Sequence, residues 1–139
     1  MTKRETLIQN LLAMFRAMPA FPAKVERSLI RAYTREESPV LVIHRGTETA
    51  NYETYGVVDR TCEIMVSILI HSQNPEQDAD EIMEIVHPAM MGYTNDPNVQ
   101  ILDVTEGMAE TPVFAREDRS AVMLTTRYQF KYRTQPNTL

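Results

Sequence analysis

Apolar residues recur at three- and four-residue spacing near the start of the chain: Leu7, Leu11, Met14 and Met18, with Ile8, Leu12 and Phe15 beside them. That period places one apolar stripe along a helix, so the pattern predicts an amphipathic helix over 2–18. Thr2 with Glu5 three positions later is a capping-box pair for its first turn, and Pro19 and Pro22 stop it. The stretch 23–37 reads two ways. As a helix it sets Lys24, Arg27, Arg31 and Arg35 in a basic stripe against Val25, Leu29 and Tyr33. Bracketed by Pro22 and Pro39, it also reads as extended chain. We treat it as a loop with a short regular piece.

Beyond Pro39 the β-branched run Val40-Leu41-Val42-Ile43 predicts a strand ending near Arg45-Gly46, and the polar stretch 47–58 predicts an exposed excursion. Residues 60–71 form the longest strand candidate. Cys62, Ile64, Val66, Ile68 and Ile70 share a uniformly apolar face, while Thr61, Glu63, Met65, Ser67, Leu69 and His71 share a mixed one. Asn74-Pro75-Glu76-Gln77 combines a cap residue, a proline suited to the first turn and an acid near the positive dipole end. It predicts a helix running to about Val86, where His87-Pro88 ends or kinks it. Ala79, Ile82, Met83 and Val86 line its buried stripe; Glu76, Asp80, Glu81 and Glu84 point outward.

After the turn Asn95-Asp96-Pro97-Asn98, strand candidates cover Val99 to Thr105 and 120–133. The last alternates Val122, Leu124, Thr126, Tyr128, Phe130 and Tyr132 against Met123, Thr125, Arg127, Gln129, Lys131 and Arg133, before a polar tail at Gln135-Pro136-Asn137. The order is helix, strand, strand, helix, strand, strand. Long alternating strands then predict an α+β two-layer sandwich: a mixed or antiparallel β-sheet with two main helices packed on one face, in a single domain over 1–139.

At 139 residues and 16.0 kDa the chain hides roughly two-thirds of its surface on folding, enough for a core without metal or disulfide staples. The single Cys62 excludes an internal disulfide framework and a multi-thiolate zinc site. Four dispersed glycines, Gly46, Gly56, Gly92 and Gly107, exclude a phosphate-cradling loop. A net charge of −5 argues against a general nucleic-acid binder, which needs clustered cations. No apolar run approaches the roughly 20 residues of a membrane span, and Gln9, Asn10 and Arg16 interrupt any signal-peptide core. A cytosolic, soluble domain is the expectation.

Candidate chemistry is sparse. His44, His71 and His87 lie far apart, without metal-ligand spacing, and read as structural or solvent-facing; His87 suits a helix C-terminus. A Cys62–histidine dyad is disfavoured because Cys62 falls on the apolar face. Met65 and Met123 differ from the other methionines in lying on the mixed faces of their strands, which points to a covered sheet surface and a subunit contact. The basic outer face of the last strand, Arg127, Lys131 and Arg133, contrasts with the acidic helix face, a polarity suited to head-to-tail association. The residues alone thus indicate an assembly component, with no catalytic, metal or cofactor site assigned.

The pattern also carries a resemblance. It runs from the Leu/Ile-rich first helix through Arg27 to Arg35, Glu37-Ser38-Pro39-Val40-Leu41-Val42-Ile43, His44-Arg45-Gly46-Thr47-Glu48 and Val58-Asp59-Arg60-Thr61-Cys62-Glu63. It continues through Val86-His87-Pro88 to Leu124-Thr125-Thr126-Arg127-Tyr128-Gln129-Phe130-Lys131-Tyr132-Arg133-Thr134. Over nearly its whole length the chain resembles the tail-terminator proteins of long-tailed phages, the lambda-type minor tail protein U family and its prophage relatives. The resemblance implies a structural virion protein, not an enzyme, that forms a homohexameric ring, caps the tail tube, ends its polymerisation and offers a docking surface to the DNA-filled head. The partners it implies are a further copy of the chain, the tail-tube protein and a head completion or connector protein, with DNA only passing through the channel and no membrane. Its implied place is the virion tail, assembled in the host cytoplasm. The low positive charge suits such a conduit, because every phosphate contact would add affinity.

Charge concentrated in loops between strands places the expected subunit or tube contacts at Arg45, Glu48, Glu53, Asp59 and Arg60. The loop 113–119, with Arg116, Asp118 and Arg119, is a second expected contact. Other readings stay open: a head–tail connector of the same assembly, a small enzyme built on His44 or His71 with Glu63, and a ligand-sensing module.

Overall fold

The computed structural model describes residues 1–27, 38–115 and 120–139. Among these, the elements in chain order are α1 (Lys3–Arg16), β1 (Lys24–Glu26), β2 (Val40–Asn51), β3 (Val58–His71), α2 (Pro75–Met91), β4 (Gln100–Ala109), β5 (Val113–Phe114) and β6 (Ala121–Thr134). The strands form one sheet of order β1-β2-β3-β6-β4, with β5 also paired to β6. β1 runs parallel to β2, and every other pairing is antiparallel. The chain is therefore α+β, with a mixed six-stranded sheet and two helices on one face of it.

The two-residue period of β3 and β6 decides which face that is. Across their shared ladder Cys62 meets Phe130, Ile64 meets Tyr128, Ile68 meets Leu124 and Ile70 meets Val122. All but Leu124, which is partly buried, lie in one core with Leu7, Ile8, Leu11, Leu12 and Phe15 of α1 and Ala79, Ile82, Val86 and Met90 of α2. The expected apolar face of the longest strand and the expected stripes of both helices thus meet one another.

Several boundaries differ from expectation. α1 begins as foreseen, with Glu5 N–H donating to Thr2 Oγ1 at 3.2 Å, but the Glu5 carboxylate accepts from Gln9 and Arg27 rather than completing the capping box. Asn74 caps α2 through its carbonyl, which accepts from Asp78 N–H at 3.0 Å, and its side chain makes no cap bond. α2 passes through Pro88 to Met91 and places His87 within the helix. The interior proline costs about 3 kcal/mol, and a fully buried Met90 in the added turn offsets much of that at about 1.5–3 kcal/mol.

β2 does not end at Gly46. It continues to Asn51, with a bulge between Arg45 and Glu48, so the excursion shrinks to residues 52–57. Polar composition suggested loop, yet beyond its pairing with β1 the outer half of β2 is an exposed edge strand, whose backbone pairs with β3 whatever the polarity of its side chains. Gly46 lies beside this bulge, and the Glu63 side chain packs over it: a Cβ there would lie 2.2 Å from Glu63 Oε1, so any larger residue would displace that carboxylate. β4 likewise runs on to Ala109, and residues 113–114 of the expected second loop are the short strand β5. Of the ambiguous stretch 23–37, Lys24–Glu26 is the short regular piece; 28–37 lies outside the described residues.

Candidate assembly surfaces

The sheet face turned away from the helices was expected to be basic along β6. It is not. Arg133 forms a bidentate pair with Asp59, directly opposite it on β3, at 2.7 and 3.2 Å. Arg127 donates to Glu63 at 2.8 Å and to Glu110 at 2.8 Å. Asp103 faces Lys131 in the β4–β6 ladder. Arg133 holds the Asp59 carboxyl below its usual range. The alternating signs come from neighbouring strands, so inspection of β6 alone overstated the charge. This leaves the acidic face of α2, with Glu76, Asp80, Glu81 and Glu84 all exposed, as a charged surface without its expected basic counterpart on β6.

Part of this outer face is closed to water. Val40, Val42, Ser67 and Thr125 are buried, and Met65 and Met123 are half-buried. A polar chain crosses it: His44 Nε2 lies 3.1 Å from Ser67 Oγ, which lies 2.8 Å from Thr125 Oγ1. Burial, with Arg27 nearby, pushes the His44 imidazole below its ordinary pKa, so the neutral ring is the favoured form. His71 Nε2 meets Ser120 Oγ at 2.9 Å and His87 Nδ1 meets Tyr128 Oη at 2.8 Å. Each histidine is thus built into the scaffold. Ser67 is completely buried, out of reach of a substrate, and burial raises the Cys62 thiol to about 12, far from a reactive thiolate. Among the described residues no His, Cys, Asp and Glu side chains group so as to hold a metal ion. Nor is any described helix long and apolar enough to cross a membrane.

The five expected contact residues on the β2–β3 arm divide into two sets. Arg45 and Glu53 are exposed. Glu48, carried inward by the bulge, accepts from Arg4 of α1 and from Tyr132 of β6. Asp59 holds Arg133, and Arg60 is buried at 6% exposure, donating to Thr134 Oγ1 at 3.0 Å and to the Thr138 carbonyl at 3.3 Å. Arg116, Asp118 and Arg119 lie outside the described residues.

Two surface features escaped the sequence reading. The arm ends in a turn ordered by Glu53 N–H donating to Asn51 Oδ1 at 2.9 Å, with Gly56 at φ +79°. This turn presents Tyr52, 63% exposed, and Tyr55, fully exposed. Two aromatics within a polar stretch beside a glycine were the available signal. At the far end of the sheet lies a pocket of about 360 Å³, lined chiefly by apolar groups of β2, β3, β5 and β6, including Val40, Leu69, Val113, Phe114 and Met123, with His71 among them. Its lining comes from four strands, and no local pattern encodes it.

No family model and no curated protein matches the chain. Its fold recurs in solved structures. One is a chain of the virion of a native gene transfer agent particle, with a TM-score of 0.66 over 89% of this chain and 92% of that one, at 8% sequence identity. The likeness spans both chains almost end to end and is a likeness of fold.

Proposed function

We propose that the chain is a structural component of a phage-like particle, acting as a tail terminator: a ring, hexameric by the family resemblance, that caps the tail tube and receives the head. The observation that carries this reading is the full-length fold likeness to a virion chain of a gene transfer agent. The surfaces agree with it. The outer face is ion-paired, the histidines are bonded within the scaffold and Cys62 lies in the core, and the exposed aromatics Tyr52 and Tyr55 sit on the arm. A ring subunit works by presenting surfaces, and these are the surfaces on offer.

The subunit and tube contacts fall on the arm, with Arg45 and Glu53 reaching outward. Glu48, Asp59 and Arg60 tie the arm to α1, β6 and the C-terminal residues, and the segment with Arg116, Asp118 and Arg119 is a second contact. The tail-tube protein and a head completion protein are the other partners, with DNA in passage only. A head-side connector is the competing reading, because the virion likeness does not specify a position in the particle. Mixing the purified chain with assembling tube protein separates the two. A terminator caps tubes and shortens them, whereas a chain that leaves tube length unchanged and binds only head-side proteins is a connector.

A further inference from the structure

The tip of the β2–β3 arm and the apolar pocket lie at opposite ends of the same sheet. The tip joins Asn51 to Val58, where β2 ends and β3 begins; the pocket is lined by Val40 at the start of β2 and by Ile70 and His71 at the end of β3. One end presents two tyrosines to water, and the other presents an aromatic-sized apolar recess with the exposed Val113 on its rim. We propose that the two are the halves of one heterologous contact: Tyr55 of one copy enters the pocket of the next, with Tyr52 packing on the rim.

Chemistry favours a second copy as occupant. Aromatic side chains anchored in desolvated pockets are the usual hot spots of protein contacts, and tyrosine can keep its hydroxyl at a polar spot while burying its ring. Charge does not oppose it: the tip's charged side chain is the carboxylate of Glu53, and the described lining of the pocket holds no carboxylate to repel it. A contact joining opposite ends of one sheet is head-to-tail, the type that closes into rings or runs on as filaments. Its size also matters. Two tyrosines bring roughly 300–500 Å², below the about 800 Å² per partner of a stable complex. The contact is therefore weak between free chains and becomes firm when a tube end holds several copies side by side.

This inference rests on the ring reading but fails separately from it. The test is thiol cross-linking in trans with a short bismaleimide, using one chain carrying Glu53→Cys and another carrying Ala115→Cys. Both sites are exposed, and the native Cys62 is fully buried. The expected product is a one-to-one cross-linked pair whose yield falls at least about tenfold when the first chain also carries Tyr52→Ala and Tyr55→Ala. A yield no higher than with Glu84→Cys on α2 as second partner, or one untouched by removing the tyrosines, overturns the pairing. Rings imaged on tubes in that case would leave the terminator reading standing. Cross-linking without rings would retain the pairing and discard the ring.

Discussion

The two ends of the β2–β3 hairpin are made from the same pair of strands and serve opposite purposes. At the Val40–Ile43 end every β2 residue is buried; from Thr47 to Asn51 the strand lies mostly in water. The inner end draws stability from α1 and β3 side chains, while the outer half of β2 is held by its bulge, by the Glu48 bonds and by its ladder to β3, which β6 pairs on the other side. Stability and recognition are thereby separated along a single element. The exposed residues of the outer half of β2 can change without disturbing the core.

The largest contrast comes from truncating one side chain at each end. Leu41→Ala, at the buried end of β2 opposite Ile68, should cost about 2–5 kcal/mol in urea unfolding. Tyr55→Ala should stay within about 0.5 kcal/mol and alter association instead. Equal effects would erase the distinction between the two regions.

Gly46→Ala probes the junction between them. Its Cβ would force the Glu63 side chain away and break the bond from Arg127, so a loss of about 1–2 kcal/mol is expected. Glu63→Ala combined with Gly46→Ala should cost less than the sum of the two single changes, a coupling that a double-mutant cycle reads directly.

Acid offers a smaller and more graded test. The His44 imidazole titrates below its ordinary value of 6.5 because it is buried and faces Arg27, so its contribution is complete above that value. That contribution is lost as pH falls through the lowered value. Burial pushes the Asp96 carboxyl up, but bonds from Tyr93, Asn10 and the backbone of Asn98 and Val99 prevail and hold it below the ordinary carboxylate range. Its contribution is complete above that range and disappears as pH falls through and below it. His44→Asn should flatten the first part of the stability–pH curve and Asp96→Asn the second. Curves unchanged by either substitution would contradict these assignments.

Much of the fold was legible because strong periods encode burial. The stripe Leu7, Leu11, Phe15 and the alternation of β3 and β6 identified both layers and the face on which the helices sit. What composition hid was pairing. The polar residues 47–51 gave no hint of a strand, because an exposed edge strand bonds its backbone to β3 and leaves its side chains free to be polar. The expected basic face of β6 dissolved for a related reason: Asp59, Glu63 and Glu110 reach Arg133 and Arg127 only after the strands are brought together. Arg60 shows the limit most sharply, since nothing local marks it as a buried arginine bonded to residues 74 and 78 positions away. The pocket belongs to the same class, being lined by four separate strands.

The proposed ring is tested most directly by electron microscopy of tail tubes assembled with and without the purified chain. A ring seated on one end of each tube, together with shorter tubes as the chain is added, is the outcome this account predicts. Bare tube ends and an unchanged length distribution at every protein ratio would contradict it.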